Sequence, residues 1–175
     1  MLEQRIAQVS DTPVICALVN AAYRGETSRA GWTTEADLLT GVRTSERTIQ
    51  ALIESEHACI LLGEEAGGVV SACICLERHA ESPETVHLGM IAVSPLLQNR
   101  GYGKTMIVAA EKLAKAQWQV QKAEMMVISL REELIAFYQR LGYQPTGVIV
   151  PFPQQPDMWQ AQVENMQLNI LQKVL

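Results

Sequence analysis

Residues 98–104, Gln-Asn-Arg-Gly-Tyr-Gly-Lys, have the residue types and spacing of an anion-binding loop. Two glycines separated by one residue allow a tight turn, because glycine adopts backbone angles that other residues avoid. A helical pattern follows at once, and the first turn of a helix points unpaired N–H groups and its positive dipole end at the preceding loop. The spacing therefore predicts a loop that binds phosphate.

Two familiar nucleotide-binding loops fit this segment poorly. A dinucleotide-binding loop needs a third glycine where this chain has Met106. Gly103, Lys104 and Thr105 are similar to the end of a nucleotide-hydrolase P-loop, but the first glycine of that motif falls on Gln98. The sequence also has no apolar strand that ends in a magnesium-binding Asp. Both nucleotide-binding interpretations are therefore disfavoured.

The residues on either side indicate which elements position the loop. Residues 86–93 form an apolar run typical of a largely buried strand, which Ser94 and Pro95 end. After the loop, apolar residues recur at helical spacing, with charged residues on the other side. The predicted order is strand, anion loop, helix.

A second segment, 127–143, follows at a suitable distance. It predicts a short apolar strand that ends at Ser129, and Ser129 with Glu132 forms a capping-box pattern for a helix. Gly142 is expected to end that helix. The apolar face of the helix comprises Leu134, Phe137, Tyr138 and Leu141.

Together the two segments resemble the acyl-CoA-binding core of the GNAT N-acetyltransferase superfamily, over roughly residues 86–146. In that superfamily a Gln/Arg-x-x-Gly-x-Gly/Ala loop follows the fourth strand, and Gln98, Gly101 and Gly103 fill its three defining positions. Members commonly carry a Tyr four residues before a Gly-Phe/Tyr pair, as Tyr138 stands here. Many have Asn where this chain has Arg131, so an Asn contact to the pantetheine arm is not carried over.

The resemblance implies an α+β (α/β three-layer) fold, with a mixed, mostly antiparallel central sheet of about seven strands flanked by helices. One domain is expected over residues 1–175. Region 34–55 is expected to be helical, either as one helix or as two that divide at Gly41, with Thr44 and Ser45 capping the second. A long loop is expected at 151–165. The predicted strands are 4–9, 57–62, 68–77, 85–93, 123–128, 144–150 and 166–174, and the other predicted helices are 12–24, 101–116 and 131–141.

The implied reaction is direct transfer of an acetyl group from acetyl-CoA to a primary amine of a small molecule or peptide. Backbone N–H groups of the loop would hold the pyrophosphate, and a bulge in the preceding strand would contact the pantetheine arm and the thioester. Gly89 would either permit that bulge or only make room for a neighbouring side chain. The expected cofactor-binding residues are Ile91, Ala92, Val93, Gln98, Asn99, Arg100, Gly101, Tyr102, Gly103, Lys104 and Thr105.

Two residues are expected to move protons. By the resemblance, Tyr138 would protonate the departing CoA sulfur, although an aromatic core residue beside Phe137 is the alternative. His87 falls where several members carry the base that deprotonates the amine, and an unperturbed histidine titrates near neutral pH. A partly buried, hydrogen-bonded strand histidine is the other interpretation, with Glu84 and Glu77 as reserve bases.

The acceptor is expected to contact the segment after the first helix and the loop before the last strand. Arg24, Arg29 and Trp32 are candidates for binding a carboxylate or an aromatic group, and Glu26 is a candidate for binding an amine. Trp32 has a second interpretation, as a hydrophobic staple for a helix opened by Thr34.

Composition narrows the classes of partner. The chain has 175 residues, is 48% hydrophobic and has a formal charge of -5, which disfavours general nucleic-acid binding. No apolar run approaches the ~20 residues that cross a membrane, and no secretory signal pattern is present, so we expect a cytoplasmic protein and no membrane partner. The four cysteines lack metal-type spacing and are expected to be buried thiols, with a reactive nucleophile as the alternative, and no metal is predicted.

The sequence leaves two further hypotheses open, one about a non-catalytic function and one about dimerisation. A non-catalytic acyl-CoA-binding sensor or scaffold would use the same loop, but it has no need for both Tyr138 and His87. The apolar stretch at 166–171 also suggests a homodimer through the final strand.

Overall fold

The protein is described here by a computed structural model in which residues 2–175 are defined, and its elements form three layers around a central sheet. In chain order the elements are β1 (Glu3–Ile6), α1 (Thr12–Tyr23), α2 (Gly25–Ser28), β2 (Leu39–Gly41), α3 (Glu46–Glu54), β3 (Ala58–Glu65), β4 (Val69–Arg78), β5 (Thr85–Val93), α4 (Tyr102–Trp118), β6 (Lys122–Ile128), α5 (Glu132–Arg140), β7 (Gln144–Pro151), β8 (Trp159–Ala161) and β9 (Gln167–Val174).

Seven strands form the central sheet in the order β1-β3-β4-β5-β6-β9-β7, while β2 and β8 form a separate pair. Five of the six neighbouring strand pairs are antiparallel, and only β5 and β6 run parallel. This architecture confirms the predicted fold class. The β5–β6 ladder covers only Thr85 to His87 opposite Lys122 to Glu124. Because both strands continue beyond it, a gap opens between them in the middle of the sheet.

Alternate residues of the central strands pack against opposite helix layers. On β4, Ile74 and Leu76 join the core under α4 and α5, whereas Cys73 and Cys75 join the core under α1 and α3. This alternation is the period of two expected of a sheet that is covered on both faces. All four cysteines are free, and burial raises the pKa of Cys59 to about 11. The prediction of buried thiols is confirmed for Cys59, Cys73 and Cys75, whereas Cys16 is only half-buried.

The helix expected over residues 34–44 is wrong, because tertiary contacts hold this segment in turns and in β2. Gly41 has a φ of 89°, and a side chain there would collide with the backbone at Met158 on the neighbouring loop. Glu35 points inward and forms a buried ion pair with Arg24. The second half of the predicted helix is confirmed as α3, whose Ser45 side chain accepts a hydrogen bond from the Thr48 N–H.

Three smaller expectations also need correction. Ser129 does not cap α5, because its hydroxyl donates to Asn169 Oδ1 at 2.9 Å and Arg131 holds the capping position. The first strand ends at Ile6, since Val9–Asp11 forms a 3-10 turn that leads into α1. The loop at 151–165 contains a strand, β8, which pairs with β2.

The final strand lies inside the sheet. It pairs with β6 on one edge and with β7 on the other, so its backbone is occupied on both sides. Met166 and Leu171 are buried, which explains the apolar stretch that suggested a homodimer. That homodimer stays a prediction. None of the helices between residues 2 and 175 has the length and apolar character needed to cross a membrane.

Candidate active site

A cavity of about 530 Å³ fills the gap between β5 and β6. Its walls come from the end of α1, from β4, β5, β6 and α5, and from the segment at 152–159. It brings together His87 and Tyr138, the two residues predicted to move protons, and Arg24, one of the predicted acceptor residues. Residues that are far apart in the chain therefore meet in a single site.

Strand β5 carries a bulge on the cavity wall. Cys73 pairs with Ala92 but Cys75 pairs with Gly89, so two residues of β5 face one residue of β4. The left-handed residue of the bulge is Met90, with φ 45°, and not Gly89 as the sequence suggested. A Cβ built at Gly89 would meet nothing within 4 Å, so this glycine does not make room for a neighbouring side chain.

A hydrogen bond from helix α1 stabilises the bulge. The hydroxyl of Tyr23, at the end of α1, donates to the carbonyl oxygen of Ile91 at 2.7 Å. A bulge removes residues from the strand ladder and re-aims their backbone groups. The bulge lies next to the cavity, where the expected contact between β5 backbone groups and the thioester requires it.

The predicted anion loop has the geometry of an anion site. Asn99 and Gly101 adopt left-handed φ angles of 65° and 81°, and α4 begins at the next residue. Within residues 2–175, no acceptor pairs with the backbone N–H groups of Tyr102, Gly103 and Lys104. A Cβ at Gly101 would meet nothing within 4 Å, so the surface there is open. The loop fits a pyrophosphate group.

The Gln98 side chain turns away from this loop and binds the segment after α2. Its Oε1 accepts from the Trp32 N–H at 2.8 Å and the Thr33 N–H at 3.3 Å, while its Nε2 donates to Thr33 Oγ1 at 2.8 Å. Gly31 lies so close that a Cβ there would be 2.6 Å from the amide. Gln98 therefore connects the anion loop to the segment that was expected to contact the acceptor.

We expect Gln98→Ala to raise the KM for the acceptor about tenfold, because it releases Trp32 and Thr33 from their hydrogen bonds to this side chain and a loss of about 1.4 kcal/mol in acceptor binding is a factor of ten. The KM for acetyl-CoA should change less, since the N–H groups of the loop remain. Gln98→Glu separates the two kinds of hydrogen bond, because it keeps an oxygen that accepts from the Trp32 and Thr33 N–H groups but loses both donations and adds a negative charge. Steady-state kinetics measure both values, and an unchanged acceptor KM in Gln98→Ala would contradict a positioning role.

His87 has the surroundings of a general base. Its Nδ1 lies 3.2 Å from the Glu124 carboxylate, which favours the proton on that nitrogen and leaves Nε2 as a proton acceptor. Nε2 is buried, and the described residues provide no partner for it. Burial lowers the pKa of His87 below its ordinary value, although the charge of Glu124 opposes this effect. The neutral imidazole therefore prevails at neutral pH.

Tyr138 is a core residue and a cavity residue at once. Its ring packs edge-on against Phe137 and Tyr143, with centroids 5.4 and 6.3 Å away. The side chain also lines the cavity. Burial raises the pKa of the Tyr138 hydroxyl far above its ordinary value, so the group keeps its proton at cellular pH. A protonated hydroxyl at this place is able to donate to a departing thiolate.

Of the four residues predicted to contact the acceptor, only Arg24 lines the cavity. Arg24 is buried at the cavity wall, whereas Arg29 pairs with Glu26 at 3.0 Å on the surface and neither lines the cavity. Trp32 packs edge-on against Phe137 at 5.6 Å, and no helix starts nearby for it to staple. Glu26 and Arg29 lie outside this cavity, and their binding roles stay predictions.

Sequence reasoning missed several residues of the cavity. Glu35 pairs with Arg24 and with Arg131 Nη1, the latter at 3.3 Å, and Glu124 contacts His87. Arg43 and Trp159 also line the cavity. Because these contacts join segments that are distant in the chain, periodicity and spacing contain no signal for them.

The sequence and the geometry agree with a known family. The model of the acetyltransferase (GNAT) family matches residues 18–143, which include the bulge, the anion loop and Tyr138. The chain belongs to the GNAT acetyltransferase family. Acyl transfer and the use of acetyl-CoA, both predicted from the motifs, are properties of GNAT enzymes. Comparison with curated protein sequences gives no significant match.

Solved GNAT structures share the whole fold at low sequence identity. A putative acetyltransferase, yncA, from Salmonella typhimurium with its cofactor acetyl-CoA is 17% identical with a TM-score of 0.73, covering 100% of this chain and 94% of that one. The spermidine/spermine N-acetyltransferase SpeG from Vibrio cholerae is 13% identical with a TM-score of 0.70, covering 99% and 92%. The ribosomal-protein-S18-alanine N-acetyltransferase from Escherichia coli is 16% identical with a TM-score of 0.70, covering 99% and 94%.

Proposed function

We propose that this GNAT protein transfers an acetyl group directly from acetyl-CoA to a primary amine of a small molecule or peptide. The observation that carries the proposal is that His87, whose Nε2 has no partner among the described residues, and the protonated Tyr138 line one cavity beside the β5 bulge. A protein that only binds acyl-CoA needs neither group. The anion loop at the start of α4 supports the choice of donor.

The residues available for the donor are those of the loop and the bulge. Backbone N–H groups of Tyr102, Gly103 and Lys104 would hold the pyrophosphate, with the exposed side chains of Arg100 and Lys104 beside them. Residues 91–93 of β5 would contact the pantetheine arm. When bound, acetyl-CoA supplies an acetyl group activated as a thioester.

Proton transfers at two residues balance the reaction. His87 Nε2 would take a proton from the acceptor ammonium, directly or through a water molecule. The free amine then attacks the carbonyl carbon, so that a C–N bond forms and the C–S bond breaks. Tyr138 would donate its proton to the departing sulfur. Such positioned acid and base groups typically contribute ~10² to 10⁴-fold each.

The pH profile tests the base. Because burial lowers the pKa of His87 in the free enzyme, we expect kcat/KM to fall tenfold per pH unit only below a pKa lower than the ordinary value of about 6.5. Glu124→Gln removes the charge that favours the imidazolium form, so it should move this limb to still lower pH. His87→Gln should abolish the limb. A limb that His87→Gln leaves in place would assign the base to another group.

The transfer itself is tested by release of free CoA thiol, with a panel of primary amines and mass spectrometry of the products. Amine-dependent thiol release with a product one acetyl group heavier would support the proposal. Binding of acetyl-CoA without release for any amine would contradict it and favour the sensor or scaffold function.

A further inference from the structure

The charged residues of the cavity are sorted by sign along its length. Glu77, His87 and Glu124 lie opposite one another on β4, β5 and β6, at the end where the strands still pair. At the other end, around Tyr23 of α1, the wall carries the guanidinium groups of Arg24, Arg43 and Arg131 and the carboxylate of Glu35. One end is acidic and the other has an excess of positive charge.

Arg24 is the least satisfied member of the positive end. It is 6% exposed, and its Nη1 donates to Glu35, but its Nε is buried and has no partner among residues 2–175. A buried donor without a partner is costly, and a buried charge more so. Burial also lowers the pKa of Arg24, although the charge and the hydrogen bond of Glu35 oppose this effect, and the nearby charge of Arg43 adds to it.

A purely structural role for the three arginines and Glu35 does not explain their net positive charge. Glu35 pairs with both Arg24 and Arg131, and this triad fixes the segment between α2 and β2. One carboxylate cannot neutralise two guanidinium groups. Arg43 adds a third, which lies 5.8 Å from the Tyr23 ring centroid and has no acidic partner in the described part of the chain. The positive end therefore lacks an anion.

We propose that the acceptor is a primary amine that also carries a carboxylate, and that this carboxylate binds Arg24 Nε and Arg43. The inference rests on the proposed function and specifies its substrate class. The amine of the acceptor faces His87 and Glu124 at the acidic end. The apolar wall between the two ends, which includes Leu88, Phe152 and Leu168, takes an apolar body.

The separation of amine and carboxylate in the acceptor distinguishes two kinds of amino acid. In an α-amino acid the two groups share one carbon atom, whereas in an ω-amino acid a longer chain separates them. The chemistry is shared, so the experiment includes both kinds.

The test compares acceptors that differ only in the carboxylate. Leucine is compared with isoamylamine, and 5-aminopentanoate with pentylamine, in the thiol-release assay with saturating acetyl-CoA. We expect kcat/KM to be about 10- to 100-fold higher for the carboxylated member of at least one pair, the range of one charge-assisted hydrogen-bonding site. The pair that shows the preference identifies the α- or ω-amino acid.

Two variants assign the preference to the arginines. R24Q and R43Q should each lower the preference for the carboxylate, measured as the ratio of kcat/KM for the preferred amino acid to kcat/KM for its matched amine, about tenfold. R47Q is the control, because it removes an exposed arginine of α3 outside the cavity. Arg43 is only half-buried and lacks an ion pair, so R43Q keeps the test valid if R24Q does not fold.

Each outcome decides between the two claims. Equal kcat/KM for both members of each pair would overturn the carboxylate inference and leave the acetyltransferase function standing. A preference that R43Q and R24Q do not reduce would also overturn it. No thiol release with any amine would contradict the proposed function itself, and this inference with it.

Discussion

Tyr138→Phe is expected to lower turnover on the order of 10²-fold or more and to leave the affinity for acetyl-CoA nearly unchanged. The change removes only the hydroxyl, while the ring keeps its packing against Phe137 and Tyr143. Because burial keeps the Tyr138 hydroxyl protonated, the native side chain is ready to donate to the leaving sulfur. Measurements of kcat and of the acetyl-CoA dissociation constant separate the two effects.

Tyr143→Phe is the matched control. Tyr143 is also buried, but its hydroxyl donates to Glu111 at 2.7 Å, away from the cavity, and Glu111 keeps its ion pair with Lys173. This variant should lose stability and retain turnover. Unaltered turnover in Tyr138→Phe would remove Tyr138 from the mechanism, and equal losses in both variants would point to packing instead.

Gly101→Glu is expected to abolish acetyl-CoA binding. The glutamate would place a carboxylate in the open space in front of the N–H groups of α4, where it repels and obstructs the pyrophosphate. When acetyl-CoA is present at 100 times its dissociation constant, the free energy of unfolding of the native protein should rise by about 2.7 kcal/mol, which raises Tm by several degrees. The variant should show no such gain in thermal unfolding with acetyl-CoA.

Gly147→Glu controls for the strain of the substitution. Gly147 has a φ of 84°, close to the 81° of Gly101, and also has open space at its Cβ position, but it lies on β7. Both variants should be destabilised alike, and only Gly147→Glu should retain the thermal shift. A shift retained by Gly101→Glu would place the cofactor elsewhere.

The anion loop and the helix around Tyr138 could be predicted because their geometry depends on neighbouring residues. Gly101 adopts the left-handed angle that a turn into α4 requires, and Gly142, with φ 95°, ends the helix before it as expected. The prediction that His87 is a candidate base followed from its position in the strand before the loop. These features are local, so spacing along the chain contains the information.

The segment between α2 and β2 could not be predicted because its contacts are distant in sequence. Glu35 turns inward to pair with Arg24 and Arg131, and Arg131 is 96 residues away. Gly41 pairs across to Trp159 on β8. The helical propensity of this stretch is weaker than these contacts, and tertiary structure prevails over propensity.

The role of Gln98 illustrates the same limit within a correctly placed motif. The motif identified the residue, but its partners Trp32 and Thr33 lie 66 and 65 residues earlier in the chain. Similarly, the bulge was expected near Gly89, while the strained residue is Met90. A motif predicts where a site lies more reliably than what each of its side chains contacts.

The most direct test of the central claim is a calorimetric titration of the native protein with acetyl-CoA. We expect saturable binding of one acetyl-CoA per chain without an acceptor present, because the anion loop and the β5 bulge are already formed. The absence of any binding, with the protein folded, would contradict the assignment of residues 98–105 as an acyl-CoA site.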